Sequence, residues 1–266
     1  MRKKGVSHIT QQEMNILVPK KLKEIEKDEN IKILYAVESG SRAWGFASPD
    51  SDYDVRFIYK RHRRDYLRLN GQRDVIELPI DDTWDVNGWD LDKTLRLLYC
   101  SNPTLFEWLG SPICYYDTDF KNKLAPLMKE YFSVKKGMCH YLGTAKKNIK
   151  VFLQGEEVIP KKYFYALRPV LACMWMYEKQ TPPPVLFDEL AKAVLPEYLK
   201  PSVSRLLDIK MNMPEKGVIK PIKEIDDFLD EAVIRFEEIA KDIPDERKSW
   251  DMLNEFFYEQ TENDFC

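Results

Sequence analysis

In the stretch GSRAWGFASPDSDYDVRF, residues 40–57, a Gly-Ser step precedes two carboxylates one residue apart at the start of an apolar run. Residues two apart on a strand share a face, so Asp52 and Asp54 should project together while Tyr53 and Val55 point into the core. Carboxylates held that close repel, and burial would push one pKa up. A divalent cation between them removes the conflict. Upstream, Gly40 permits close backbone approach, and a helix beginning near Ser41 would offer its first amides to an anion. Together these features predict a place for a triphosphate carried by magnesium. Two-metal phosphoryl chemistry calls for a third carboxylate. Asp85, in the strand-like WDVNGWD between Trp84 and Val86, is the candidate. Asp90 is the runner-up, because its place ahead of a helix already gives it a capping role.

The elements that must hold these residues can be read from periodicity. Residues 9–28 form an amphipathic helix perturbed at Pro19, and IKILYAV (31–37) is a buried strand running straight into Glu38, Ser39 and Gly40. YDVRFIY (53–59), DVIELPI (74–80) and WDVNGWD (84–90) read as further strands, the last two joined by a short acidic turn. Asp90 caps the helix LDKTLRLLYC. Strands then end, and helices are expected at 117–132, 134–153, 161–179, 186–194, 201–209, 221–241 and 245–259. The expected class is α+β: a small mixed-sheet catalytic domain at 1–115, then a mainly helical domain at 116–266 that binds the acceptor.

Composition bounds the function. The 266 residues are 44% hydrophobic, enough for a proper core, and the net charge of −3 gives no global pull towards nucleic acid or anionic membrane. Any polyanion site must be a local patch. Five widely spaced cysteines show no metal-ligand pattern and read as reduced thiols, and His8, His62 and His140 lie too far apart in sequence for a histidine-rich zinc site. No run approaches a membrane span and residues 1–20 lack a signal-peptide core, so a cytoplasmic protein with no membrane partner is expected.

Several residues carry a functional and a plain reading side by side. PDSDYD also reads as a solvated acidic turn. Arg42 would bind a γ-phosphate or pair with Asp50. Lys93, one turn into the helix after Asp90, would reach a phosphate or be a surface lysine. KRHRRDYLRL (60–69) is a solvated face or an RNA backbone contact. Lys161 and Lys162, with Tyr163, Tyr165 and Arg168, form a basic and aromatic cluster that would bind the acceptor. Arg168 precedes Pro169 inside an apolar helix and needs either a buried ion pair or a phosphate. Trp44 would stack on a base or simply pack.

Ser39-Gly40-Ser41 followed by Asp52-Tyr53-Asp54 resembles the signature of the DNA polymerase β nucleotidyltransferase superfamily. More narrowly, GSRAWGFASPDSDYDVRFIY, WDVNGWDLDKTLRLL, SNPTLFEWLGSPICY and KKYFYALRPVLACMW look like successive blocks of the RlaP-like nucleotidyltransferases associated with RNA repair. These blocks span roughly residues 38–178; nothing after 180 matches. The resemblance implies two magnesium ions and transfer of a nucleoside monophosphate from an NTP to a hydroxyl. Gly40 and Ser41 would hold the triphosphate, Asp52 and Asp54 the metals, and Asp85 would be third ligand and hydroxyl activator. An RNA or tRNA-like end is the expected acceptor. The alternatives are a protein side chain or small molecule as acceptor, or a non-catalytic nucleotide- or RNA-binding module, against which the intact carboxylate set argues.

Overall fold

The computed structural model describes residues 9–48, 51–79, 84–212 and 217–262. The N-terminal half comprises α1 (Gln11–Glu29), β1 (Lys32–Glu38), a single turn α2 (Gly40–Ala43), β2 (Tyr53–Lys60), a turn α3 (Arg63–Tyr66), β3 (Val75–Glu77), β4 (Trp84–Asp90), α4 (Leu91–Tyr99), α5 (Pro103–Leu109) and β5 (Cys114–Asp117). The remainder is helical: α6 (Phe120–Tyr131), α7 (Val134–Phe152), α8 (Pro160–Lys179), α9 (Phe187–Val194), α10 (Lys200–Asn212), α11 (Lys223–Asp242) and α12 (Asp251–Thr261). The fold is α+β.

The strands form one mixed sheet in the order β3-β4-β2-β1-β5, with β2 and β4 parallel and the other neighbours antiparallel. The expectation that strands end at residue 90 is corrected by β5, which adds to the free edge of β1. At four residues it is too short to show an alternation, and only its pairing defines it.

The helix ends are set by local chemistry. Thr10 and Glu13 close a capping box on α1, Asp90 accepts from the Asp92 amide at the start of α4, and Asn102 caps α5 with Pro103 in its first turn. Pro19 is accommodated inside α1, whose buried stripe Met14, Val18, Leu22 and Ile25 covers one face of the sheet. The opposite face is covered by α4, α5, α6 and also α12, through Leu253 and Phe256. A third core lies within α7–α11 and takes in Phe46 from the loop after α2. α6 and α12 thus share the core of the sheet, and the loop after α2 is rooted among the helices.

Candidate active site

β1 delivers the chain to the site and Gly40 turns it. Gly40 has φ +60°, and a Cβ there would lie 2.0 Å from Asp54 Oδ2, so both the conformation and the close approach demand glycine. The first-turn amides of α2 lie outside its own hydrogen-bond ladder, with the Asp54 carboxylate beside them. The helix expected after Ser41 is thus only four residues long and gives way to a loop. That loop is anchored by Phe46, 4.7 Å from the Phe164 ring and 5.6 Å from that of Phe187, and by a 2.6 Å bond from Lys210 Nζ to the Phe46 carbonyl.

β2 and β4 bring the carboxylates together. Tyr53 and Val55 are buried and Asp52 is exposed at the start of the strand, which is the expected alternation. Asp54 lies in register with Asp85 on the parallel neighbour. Between them is a residue that the sequence reading passed over: Arg56 donates from one terminal nitrogen to Asp54 Oδ1 at 2.9 Å and Asp85 Oδ2 at 2.8 Å, and from the other to the Asp85 carbonyl at 2.8 Å. Burial pushes the Asp54 pKa up; the Arg56 charge opposes this, and Asp85 and Asp52 add to it. The signal was available, since Arg56 is two residues beyond Asp54 on the same face.

Glu38 was also missed. It is fully buried at the end of β1, accepts the Asp54 amide at 2.7 Å on one oxygen and the Tyr115 hydroxyl at 2.5 Å on the other, and burial raises its pKa to about 7. It fixes the backbone at Asp54 from beneath. Tyr115 belongs to β5, the strand that sequence reasoning did not find.

Arg42 pins the segment ahead of β2. It donates to the carbonyls of Ser51 and Asp52 at 2.7 and 3.2 Å and lies 3.7 Å over the Tyr53 ring. Its suggested partner Asp50 lies outside the described residues.

Other expected members are elsewhere. Asp90 caps α4 with one carboxylate oxygen and meets Arg61 Nε with the other at 3.3 Å. It stands five residues along β4 from Asp85, about 17 Å of strand. Lys93 goes with it to that far end and pairs with Asp74 at 3.0 Å, so it does not join the carboxylate site. Arg168 is buried and pairs with Glu107 on α5 at 2.5 Å; of the two readings open to it, the ion pair is the one found. Lys161 and Lys162 sit in the first turn of α8, with Lys162 lying 3.8 Å over the Phe152 ring and 4.9 Å over that of Tyr165.

Among the described residues, no three His, Cys, Asp or Glu side chains converge as a ready metal cage. Asp52, Asp54 and Asp85 would nonetheless offer a cation only carboxylate oxygens, the chemistry magnesium prefers. Arg56 already bridges two of them, so Asp54 and Asp85 share one positive charge. Among the described residues, no helix is long and apolar enough to cross a membrane.

The model of the RNA repair pathway DNA polymerase β family, RlaP, matches residues 14–259. "Uncharacterized protein YcgL" of Bacillus subtilis (strain 168) is 46% identical over 236 residues, which is 88% of this chain and 90% of that protein. A solved nucleotidyltransferase-like protein from Exiguobacterium sibiricum 255-15 is 13% identical, covering 86% of this chain and 74% of that one, with a TM-score of 0.31. With the family model running from α1 into α12 and a relative at nearly half identity along most of its length, the chain belongs to the RNA repair pathway DNA polymerase β family.

Proposed function

We propose that the protein is a magnesium-dependent nucleotidyltransferase that moves a nucleoside monophosphate from an NTP to a hydroxyl, with pyrophosphate as the leaving group and an RNA end as the acceptor. The observation that carries this reading is the register of Asp54 against Asp85, with Gly40 held against the Asp54 carboxylate. Gly40 and Ser41 would lie along the triphosphate, and Arg42, by fixing the Ser51 and Asp52 carbonyls, would hold Asp52 to the same face as Asp54. Asp52 and Asp54 would hold magnesium, and Asp85 would be the third ligand. Magnesium, when bound, neutralises the triphosphate and lowers the pKa of an attacking hydroxyl. On this reading Asp85 would take the proton from that hydroxyl, and Glu38, bonded to the Asp54 amide, would keep the Asp54 backbone from shifting as charge builds. Lys161 and Lys162 are proposed for the acceptor side, with Arg168 withdrawn into its ion pair.

The test is incubation with each α-labelled NTP and magnesium, with total RNA in one arm and total protein in the other. Label on RNA that disappears with Asp52→Asn and Asp54→Asn is the expected outcome. Label on protein would move the acceptor to a side chain, and no transfer in either arm, with no magnesium-dependent NTP binding, would remove the reading.

A further inference from the structure

A cavity of about 280 Å³ lies between the loop after α2 and helices α5, α7 and α8. Trp44, four residues beyond Gly40, forms one wall, and Tyr165 meets it edge to face with centroids 5.9 Å apart. Its volume sits near the bottom of the ~300–1,000 Å³ range of small-molecule sites, so it suits one ring system better than a whole nucleotide.

The wall's charge cancels. Arg168, 1% exposed, lies 4.8 Å from the Trp44 ring and pairs with Glu107, while its Nε–H has no hydrogen-bond partner. Such a buried pair is weak support for stability against an apolar substitute, so its presence in a cavity wall points to a binding role. Because the guanidinium is already committed, the cavity is poorly suited to phosphate.

The wall offers acceptors instead. Glu107 receives both Arg168 and the Tyr141 hydroxyl, at 2.9 Å, on Oε1, which leaves Oε2 without a partner among the described residues. Asn148 donates through Nδ2 to the Thr144 and Tyr165 carbonyls at 2.8 and 3.1 Å. Two carbonyl partners fix the amide's orientation and leave Oδ1 as an acceptor. Aromatic walls, a cancelled charge, open acceptors on Glu107 and Asn148 and the unpartnered Arg168 Nε–H describe a flat, uncharged heterocycle that presents N–H groups beside a ring acceptor. We infer that this cavity takes a nucleobase carrying an exocyclic amino group, packed against the Trp44 and Tyr165 rings and read by Glu107 and Asn148. The inference deepens the nucleotidyltransferase reading and rests on it for the source of the base, which is either the incoming NTP or the terminal nucleotide of the acceptor.

The experiment is calorimetric titration of the full chain with adenosine, guanosine, cytidine and uridine, which carry no phosphate, and separately with each Mg·NTP. At least one amino-bearing nucleoside should bind more tightly than uridine. Asn148→Ala should weaken it about fivefold, the size of one lost hydrogen bond, and Trp44→Phe should weaken it while preserving the melting temperature. If the base is that of the NTP, Asn148→Ala weakens Mg·NTP equally and nucleoside competes with it; if it is that of the acceptor, both bind together and Mg·NTP affinity is unchanged. Either pattern supports the base pocket. No nucleoside binding at millimolar concentration, uridine binding as well as the others, or indifference to both folded variants overturns it. Nucleoside binding without any Mg·NTP binding would instead overturn the transfer reading and leave the pocket standing.

Discussion

Asp54 is held by three groups at once: the Glu38 carboxylate on its amide, Arg56 on its side chain, and Gly40 packed against its second oxygen. Neutralising it should therefore relieve a charge that burial disfavours, while Arg56 keeps its bond to Asp85. Asp54→Asn is expected to abolish transfer yet stay within about 1 kcal/mol of wild-type stability in urea unfolding. Gly40→Ala tests the opposite case. A methyl group cannot fit 2.0 Å from the carboxylate, and φ +60° is strained for alanine, so a cost of about 1–3 kcal/mol is expected together with lost activity. Arg56 now does what magnesium would do for the two carboxylates. Arg56→Ala should lower the melting temperature in chelator and enlarge the rise on adding magnesium; an equal rise in both proteins would show that the guanidinium and the cation do not share a position.

The elements show why the two ends of β4 differ. Asp85, at its start, faces Asp54 across a parallel pair, whereas Asp90, at its end, is buried under α4, and burial lifts its pKa from 3.8 to about 6. Between these values the folded protein holds a proton that the unfolded chain has released, so stability falls as the pH rises through the window. Asp90→Asn keeps an acceptor for the Asp92 amide but cannot titrate. Wild type should thus lose ground to it from about pH 4 to about pH 6 in thermal melts, and a gain over that range would discard the assignment. Asp90→Ala should cost about 1 kcal/mol, the usual size of a lost N-cap.

Much at this scale was legible in sequence. Alternation put Asp52 and Asp54 on one face, and Asp90 followed by a leucine-rich stripe read as a cap and a helix. Arg168 announced by its position among apolar residues that it needed a partner, but not which one. Glu107 is 61 residues away on another helix, and sequence spacing carries no record of that contact. Lys93, for which a surface lysine was the other reading, is found paired with Asp74, because a helix that leaves the far end of a strand carries its side chains away from a site at the near end. β5 and Glu38 were hidden together, because the strand that supplies Tyr115 is too short to announce itself.

For the whole molecule, the helices also anchor the loop that follows Gly40. Phe46 and Trp44 reach from the loop after α2 into α7–α9, and the Glu107–Arg168 pair bridges α5 and α8 beside them. Breaking that pair from one side should cost about 3–5 kcal/mol, and replacing both partners by apolar residues much less. Urea unfolding of Glu107→Leu, Arg168→Met and the double variant would show this as a double variant more stable than Glu107→Leu alone. Binding at the carboxylates should in turn stabilise the helices. At one hundred times its Kd, Mg·NTP is expected to add about 2.7 kcal/mol, read as one cooperative melting transition moved upward; a shift confined to the sheet half would break the link.

The return of α12 to the sheet sets an order in time. Lys60, at the end of the strand that carries Asp54, donates to the Gln260 carbonyl 200 residues later, and Leu253 and Phe256 complete the core beneath it. At roughly 5–20 residues per second of synthesis, the nascent strand waits on the order of 10–40 s for that partner. During translation the carboxylates thus sit on an unfinished sheet, and a ribosome stalled before α12 would carry a chain with its chemistry encoded and its scaffold still open.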